Sequence, residues 1–295
     1  MPGVLASAEE IAKPFRDGVR DSVKALGKKV VLRGILASED RASGVYAQYT
    51  AKGCADVGID FELVHVPRLE VEDAVARANL DRKAHGIIVY YPVFGGERDR
   101  SIQDEVSPEK DVEGLHSRWS FMLYEDVRYT VDAKKTIVPC TPLAIVKALE
   151  SLGAYAAGAA TGSQLKGKTA TIFNRSEVVG RPLAAMLAHD GARVHSFDVN
   201  DVLLYEERKT LENKVDRPTA LAESDIIITG VPSKDFELVK ASEIKPGAIC
   251  VNFSTLKNMD DGILERARVF LPRVGPITVA MLLRNTVRLF KNYHC

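Results

Sequence analysis

The chain has 295 residues, with 40 Lys and Arg against 40 Asp and Glu, so its formal net charge is zero. At roughly 100–200 residues per domain this length predicts two domains, and 27% charged with 46% hydrophobic residues excludes a disordered or fibrous chain. Balanced charge argues against nucleic acid as a partner, and the lack of any run of about 18 apolar residues argues against a membrane span.

Residues 1–19 carry Glu9, Glu10 and Lys13, which interrupt the apolar run of a secretory signal; the Arg-rich, acid-poor character of a transit peptide is also missing. Cys54, Cys140, Cys250 and Cys295 are scattered and form no CxxC pair. That spacing predicts no disulfide framework and no metal site, and reduced thiols in a cytoplasmic protein. The apolar run over 30–36 predicts a buried strand, 43–57 a helix ending at Gly58, 61–66 a second strand and 71–80 a second helix. Residues 86–90 lack polar alternation, as expected of a parallel strand covered on both faces. The stretch 94–135 reads as polar and irregular. Next comes a helix that Thr141 can cap, with Pro142 in its first turn, Gly153 as terminator, and a stripe of Ile145, Val146, Leu149 and Leu152. Residues 154–167, rich in Ala, Gly, Ser and Thr, read as a connection between domains.

The alternation then restarts. Residues 169–173 predict a strand, 182–188 a helix, 192–197 a strand ending at Asp198, and 225–229 and 248–253 two further buried strands. Glu206-Glu207-Arg208-Lys209 reads as a solvated helix face, and 278–290 as a last helix. Strands alternating with helices predict an α/β protein of two α/β domains, 1–150 and 151–275, with the helix over 276–295 packing back on the first.

The residues after the strand over 169–173 carry the first functional signal. A dinucleotide needs backbone N–H groups at a helix N-terminus to receive its pyrophosphate. Asn174, Arg175, Ser176, Val179 and Gly180 before Pro182 supply such a turn, although GxGxxG is absent. Asp198 stands where an acid accepts hydrogen bonds from the adenosine ribose, and with Asp201 it favours NAD over NADP by repelling a 2′-phosphate. An Asp at a strand end also suits the opening of a turn, and that reading stands beside the first. Thr229-Gly230-Val231-Pro232 places a second tight turn at another strand end.

These residues also carry a resemblance. Asn174-Arg175-Ser176 through Val179-Gly180-Arg181-Pro182 resembles the GRSxxVGxP segment of the methylenetetrahydrofolate dehydrogenase/cyclohydrolases. Lys110-Asp111-Val112-Glu113-Gly114 resembles that family's KDVDG, Pro139-Cys140-Thr141-Pro142 its PCTP, and residues 274–282 its VGPMTVAML. The motifs occur in the family's order. The resemblance implies a folate-binding domain and a Rossmann-like NAD-binding domain with a cleft between them, tetrahydrofolate as substrate, and a homodimer.

Departures from the pattern carry information too. The family's folate-site helix has a Tyr followed four residues later by a Lys associated with the cyclohydrolase step; here these positions hold Tyr46 and Thr50. Lys52 is no substitute, since six residues on a helix turn it about 120° away from Tyr46. Tyr90 stands at the family's Gln, and Glu113 at its second Asp. Arg175 counts the other way, because in NADP-using relatives the Arg of this motif faces the 2′-phosphate. On balance the combination resembles the monofunctional NAD-dependent branch known from fungi more than the NADP-linked bifunctional members. By resemblance the reaction site is then Tyr46, Thr50 and Tyr90, with Asp111, Glu113, Tyr91 and Pro276 at the substrate and Glu113 as the pterin acid. The cofactor residues are Asn174, Arg175, Ser176, Val179, Gly180, Asp198, Thr229, Gly230, Val231 and Pro232. Oxidising the methylene bridge needs positioning and no strong base, whereas hydrolysing the methenyl product needs a proton shuttle that Thr50 and Tyr90 do not offer. Three rivals stand beside this reading: a bifunctional enzyme, a shikimate-type dehydrogenase, which would carry a GxGG-like turn, and an inactive binding scaffold.

Overall fold

Short apolar runs and amphipathic stretches become, in chain order, β1 (Val4–Leu5), α1 (Ala8–Leu26), β2 (Val31–Leu36), α2 (Arg41–Val57), β3 (Asp60–His65), α3 (Val71–Leu80), β4 (Gly86–Val89), α4 (Gly96–Glu105), α5 (Ser117–Tyr124) and α6 (Cys140–Ser151). There follow β5 (Thr169–Phe173), α7 (Gly180–His189), β6 (Arg193–Phe197), β7 (Val202–Glu206), β8 (Lys209–Asn213), α8 (Arg217–Glu223), β9 (Ile226–Thr229), β10 (Ile249–Asn252), β11 (Val269–Leu271) and α9 (Gly275–Leu289). This computed structural model describes residues 3–37 and 40–295; Met1 and Pro2, the start of the stretch read for targeting signals, lie outside them. The chain divides into two compact units, Ala12–Cys140 with Thr278–Cys295, and the residues up to Ile11 with Thr141–Ile277. The change of unit thus falls between 140 and 141, and the Gly-rich segment 154–167 lies inside one unit.

The first unit is built on a three-stranded parallel sheet in the order β3-β2-β4. Every residue of β4 and all but Arg33 of β2 are buried, which is why these strands show no polar alternation, while edge strand β3 is largely exposed. The Asp40 carboxylate caps α2 by accepting from Ser43 N, and Gly58 ends it in the left-handed region at φ 81°. Ile35, Val71, Val75, Ile87, Ile102 and Val106 share one core. On α9, Asn285 Nδ2 donates to Val112 O at 3.0 Å and Val138 O at 3.2 Å. A Cβ on Gly53 would come within 2.8 Å of Val279, so glycine lets α2 lie close to α9.

The second unit carries an eight-stranded sheet in the order β1-β11-β10-β9-β5-β6-β7-β8. All its pairs are parallel except β6·β7 and β7·β8. From β5 the chain runs outward through α7 to β6, then returns to the other side of β5 at β9. That reversal between neighbours β5 and β9 is where open α/β sheets hold ligands. Buried His195 on β6 ties the outer strands in: its Nδ1 receives Asn213 Nδ2 at 2.8 Å, and the opposite nitrogen meets Glu223 of α8.

Two sequence readings are corrected. The stretch 94–135 contains α4 and α5, hidden because α4 buries only Ile102 among its apolar side chains and α5 has just eight residues, anchored by Trp119 and Leu123. Glu206-Glu207-Arg208-Lys209 is the turn of the β7–β8 hairpin and not a helix face. Glu207 and Arg208 take φ 47° and 62°, a turn normally signalled by Asn-Gly. In addition, α6 begins at Cys140, so Thr141 lies within its first turn instead of capping it.

Lys110 shows how a motif residue serves the fold. Its buried Nζ donates to Ala78 O at 3.1 Å and to Asn79 O and Asp81 O, both at 2.8 Å, closing the carbonyl end of α3. Burial pulls its pKa below the ordinary lysine value. Hydrogen bonds from a charged donor to otherwise unmet buried carbonyls set the size of the effect. Lys110→Met should therefore lower unfolding free energy by about 3 kcal/mol, read as a lower urea midpoint at unchanged slope. An unchanged midpoint would show that α3 closes without the lysine.

Candidate active site

In the first unit, α2 and the end of β4 bring the sequence-predicted residues together. Tyr46 and Thr50 lie one helical turn apart. Thr50 is fully buried and its Oγ1 donates back to Tyr46 O at 3.0 Å, so this hydroxyl is spent inside the helix. Tyr90 follows β4 directly and meets Tyr46 edge-on, with ring centroids 5.7 Å apart and planes at 87°. Tyr90 is 1% exposed; among the described residues its Oη meets no partner of good geometry, although the Thr50 hydroxyl stands near enough to pull its pKa down against burial. Burial first, then nearby Glu113, hold the Tyr46 and Tyr90 phenols above their ordinary pKa. Both stay protonated at neutral pH.

The loop after α4 separates two acids that the sequence left side by side. Buried Asp111 spends both oxygens on backbone: Oδ1 accepts from Glu113 N at 3.1 Å and Gly114 N at 3.0 Å, and Oδ2 from His116 N at 2.9 Å. Its expected place as a substrate anchor thus gives way to that of a loop staple. Gly114 in that loop takes φ 70°, and a Cβ there would lie 2.7 Å from the Val138 backbone. Glu113 lines a neighbouring pocket, and its carboxylate meets no hydrogen-bond donor among the described residues. Burial and then the Asp111 charge push the pKa of Glu113 up to about 8. A small pocket joins Glu113 and Asp111 to Tyr91, Gln103, Ile87 and Leu115. Gln103 was not anticipated, because it lies on the helix that polar composition concealed.

Cys140 sits at the start of α6, where a helix N-terminus would lower a thiol pKa. Burial raises it instead, helped by Glu113 and Asp111. Its Sγ donates to Val112 O at 3.3 Å and accepts from Asn285 Nδ2 at 3.5 Å, a packed thiol rather than a nucleophile.

The second unit assembles the predicted cofactor residues at the β5/β9 reversal. Asn174 Nδ2 donates to Gly230 O at 2.9 Å, joining the two strand ends, and its Oδ1 receives Ser176 N at 2.9 Å and Ser176 Oγ at 2.7 Å. A Cβ on Gly180 would stand 2.0 Å from Asn174 O, so only glycine lets α7 start this close to β5. Val178 and Val179, just before α7, find no acceptor for their backbone N–H groups among the described residues. Open donors ahead of a helix at a sheet reversal fit a dinucleotide pyrophosphate. Thr229 is buried beneath the second turn, and Pro232 is exposed beyond it. Val231 is held by Asn258, which accepts from its N at 2.8 Å and donates to its O at 3.1 Å, and by Ser254 Oγ on the same carbonyl at 3.0 Å. Asn258 and Ser254 lie more than twenty residues downstream with no local motif to mark them.

Arg175 and Asp198 are both engaged. The guanidinium of Arg175 is almost wholly buried and binds Asp201 through Nη1 and Nη2, with Asp198 Oδ2 3.7 Å from Nε. Asp198 keeps half its side chain exposed and accepts Val199 N at 2.9 Å. Two carboxylates thus surround one arginine, and the local balance is negative. Pro276 stands in the first turn of α9, within the second unit.

The family models also change over close to residue 140, although the second runs on through the C-terminal residues that pack with Ala12–Cys140. The catalytic domain of tetrahydrofolate dehydrogenase/cyclohydrolase matches residues 6–113, and its NAD(P)-binding domain matches residues 139–294. The chain is 44% identical over 291 residues to methylenetetrahydrofolate dehydrogenase [NAD(+)] of Dictyostelium discoideum, covering 96% of this chain and 92% of that one. It is 41% identical to the protein of the same name in Schizosaccharomyces pombe, over 96% and 91% of the two chains. The solved structure of the NAD-dependent 5,10-methylenetetrahydrofolate dehydrogenase from Saccharomyces cerevisiae matches with a TM-score of 0.92 at 38% identity, covering 100% and 99%. With both halves matched in order and relatives above 40% identity along almost its whole length, the chain belongs to the tetrahydrofolate dehydrogenase/cyclohydrolase family.

Proposed function

We propose that this enzyme oxidises 5,10-methylenetetrahydrofolate to 5,10-methenyltetrahydrofolate with NAD and does not hydrolyse the product to an appreciable extent. The observation that carries the second part is the sealed Thr50–Tyr90 wall beside Tyr46. Thr50 is buried with its hydroxyl turned into its own helix, and Tyr90 offers a protonated phenol where hydrolysis would use an amide. Neither group titrates near neutral pH, so no side chain at these two positions moves a proton to or from an attacking water.

When bound, NAD accepts the hydride together with its electron pair, and the folate carbon becomes a cation shared between its two nitrogens. Asn174, Ser176, Gly180 and the turn over 229–231 would hold the dinucleotide, with open N–H groups before α7 for its pyrophosphate. Tyr46 stacks on the folate, its ring set by edge-on contact with Tyr90. When ionised, Glu113 anchors the pterin amino and N–H donors, and its charge favours the cation as it forms. Asp198 and Asp201 neutralise Arg175, leaving a 2′-phosphate with no free guanidinium and two carboxylates to repel it. In keeping with the resemblance and with buried, unpaired Cys54, Cys140 and Cys250, we place the enzyme in the cytosol as a homodimer.

Purified protein given methylenetetrahydrofolate should reduce NAD with a kcat/KM well above that for NADP. Methenyltetrahydrofolate should then accumulate and decay only at its spontaneous rate; prompt 10-formyl product sinks the monofunctional reading. Thr50→Lys alone should not restore hydrolysis, because the introduced amine enters a fully buried position still walled by Tyr90. For the cofactor, Asp198→Ala should shift the NAD:NADP ratio of kcat/KM toward NADP by about tenfold, the equivalent of roughly 1.4 kcal/mol of lost repulsion. An unchanged ratio would show that another group reads the ribose.

A further inference from the structure

The pocket behind Glu113 contains a donor that no interaction uses. Tyr91 Oη is buried and, among the described residues, without a hydrogen-bond partner, and the pocket it lines is also lined by Glu113, Asp111 and Gln103. Leaving a phenol O–H unmet in the interior costs the folded state its desolvation without return. The residue is held firmly by its neighbours. Its carbonyl receives Ser43 Oγ of α2 at 3.3 Å, and the following turn is fixed by Asp99 of α4, which accepts from Val93 N at 3.1 Å and Phe94 N at 2.8 Å. The Tyr91 hydroxyl therefore stays where it is for a reason other than its own hydrogen bonding.

Glu113 has the complementary deficit. Its carboxylate lacks a donor, whereas Asp111, two residues away, takes three backbone N–H groups. The groups around Glu113 make matters worse. Asp111 stands on its own loop, Tyr46 on α2, Tyr90 and Tyr91 after β4, and Cys140 at the start of α6; none is a cation. Tyr91 itself faces Asp99 and Glu105 of α4 besides the two loop acids, so it too stays protonated and able to donate. An acid that must present a charge to the pterin thus sits beside a second acid, with one unused donor across a shared polar pocket.

We propose that Tyr91 is a positioning residue whose hydroxyl donates across this pocket, through one water, to the carboxylate of Glu113, holding it ionised and aimed at the pterin. The pocket is polar enough to retain that water, with Gln103 and Asp111 as further partners. The inference rests on the folate reading of Glu113, and the sign follows from the chemistry. A donor to the ionised form lowers the pKa of an acid, so its loss raises it. Substrate binding that needs the charge then fails at a higher pH.

The test is the titration of Glu113 itself, followed by NMR in protein carrying 13C-carboxyl glutamate, with the resonance assigned by its absence in Glu113→Gln. In Tyr91→Phe the Glu113 midpoint should rise by roughly one unit relative to wild type. A midpoint that is unmoved or lower overturns the proposal. Kinetics give a second reading. Tyr91→Phe should raise the KM for methylenetetrahydrofolate more on the acid side than on the alkaline side, and add nothing in a Glu113→Gln background. Superimposable KM–pH profiles, or equal losses in both backgrounds, would assign Tyr91 to packing alone. A wild type that reduces no NAD would instead sink the proposed reaction, and the NMR titration would still decide whether Tyr91 governs Glu113.

Discussion

A buried carboxylate cannot stand alone in a protein interior, and the way Asp111 meets that constraint organises the folate side of the molecule. Three backbone N–H groups converge on its two oxygens, which bends residues 111–116 into a closed loop and lifts Glu113 clear of it. Lys110, immediately before, grips three carbonyls at the end of α3, so the same dipeptide fastens the loop to the helix layer. Asn285 of α9 then secures the loop from the other side through Val112 O. The division of labour between the two acids follows: one is consumed by architecture, and the other is left free of it, in surroundings that oppose its charge.

The nucleotide side solves an opposite problem. An arginine inside the motif would attract phosphate, and the structure sets the acids at 198 and 201 against it. On the proposed reading, specificity there is subtractive: it would come less from a group that welcomes the ribose than from the cancellation of a group that would welcome an extra phosphate.

Much of this was legible in the residues alone, for identifiable reasons. Tyr46 and Thr50 are four apart on a helix, so their alignment is a matter of helical pitch. The apolar runs of β4, β5 and β9 announce strands covered on both faces. The distinction between Asp111 and Glu113 was not legible, since staple and anchor use the same chemistry and only the fold decides which oxygens are spent. Nor was the engagement of Arg175, whose partner Asp201 lies 26 residues on, beyond α7 and β6. The hairpin turn at Glu207-Arg208 escaped because two charged residues adopt a left-handed backbone usually left to Asn and Gly. Helix α4 escaped because a helix with one buried apolar residue has almost no periodicity to read.

The division of the chain into interleaved units bears on its synthesis. The chain passes from one unit to the other three times, so the three-stranded sheet waits for Thr278–Cys295 before Asn285 can reach the Val112 and Val138 carbonyls. The other unit must recover its first strand, β1, to pair with β11, whose residues are separated from it by most of the sequence. Translation proceeds at about 5–20 residues per second, with domains ordinarily folding as they emerge. Here neither unit is complete until nearly the whole chain has left the ribosome. Glu113 therefore acquires its final surroundings among the last events of folding, long after its own codon has been read.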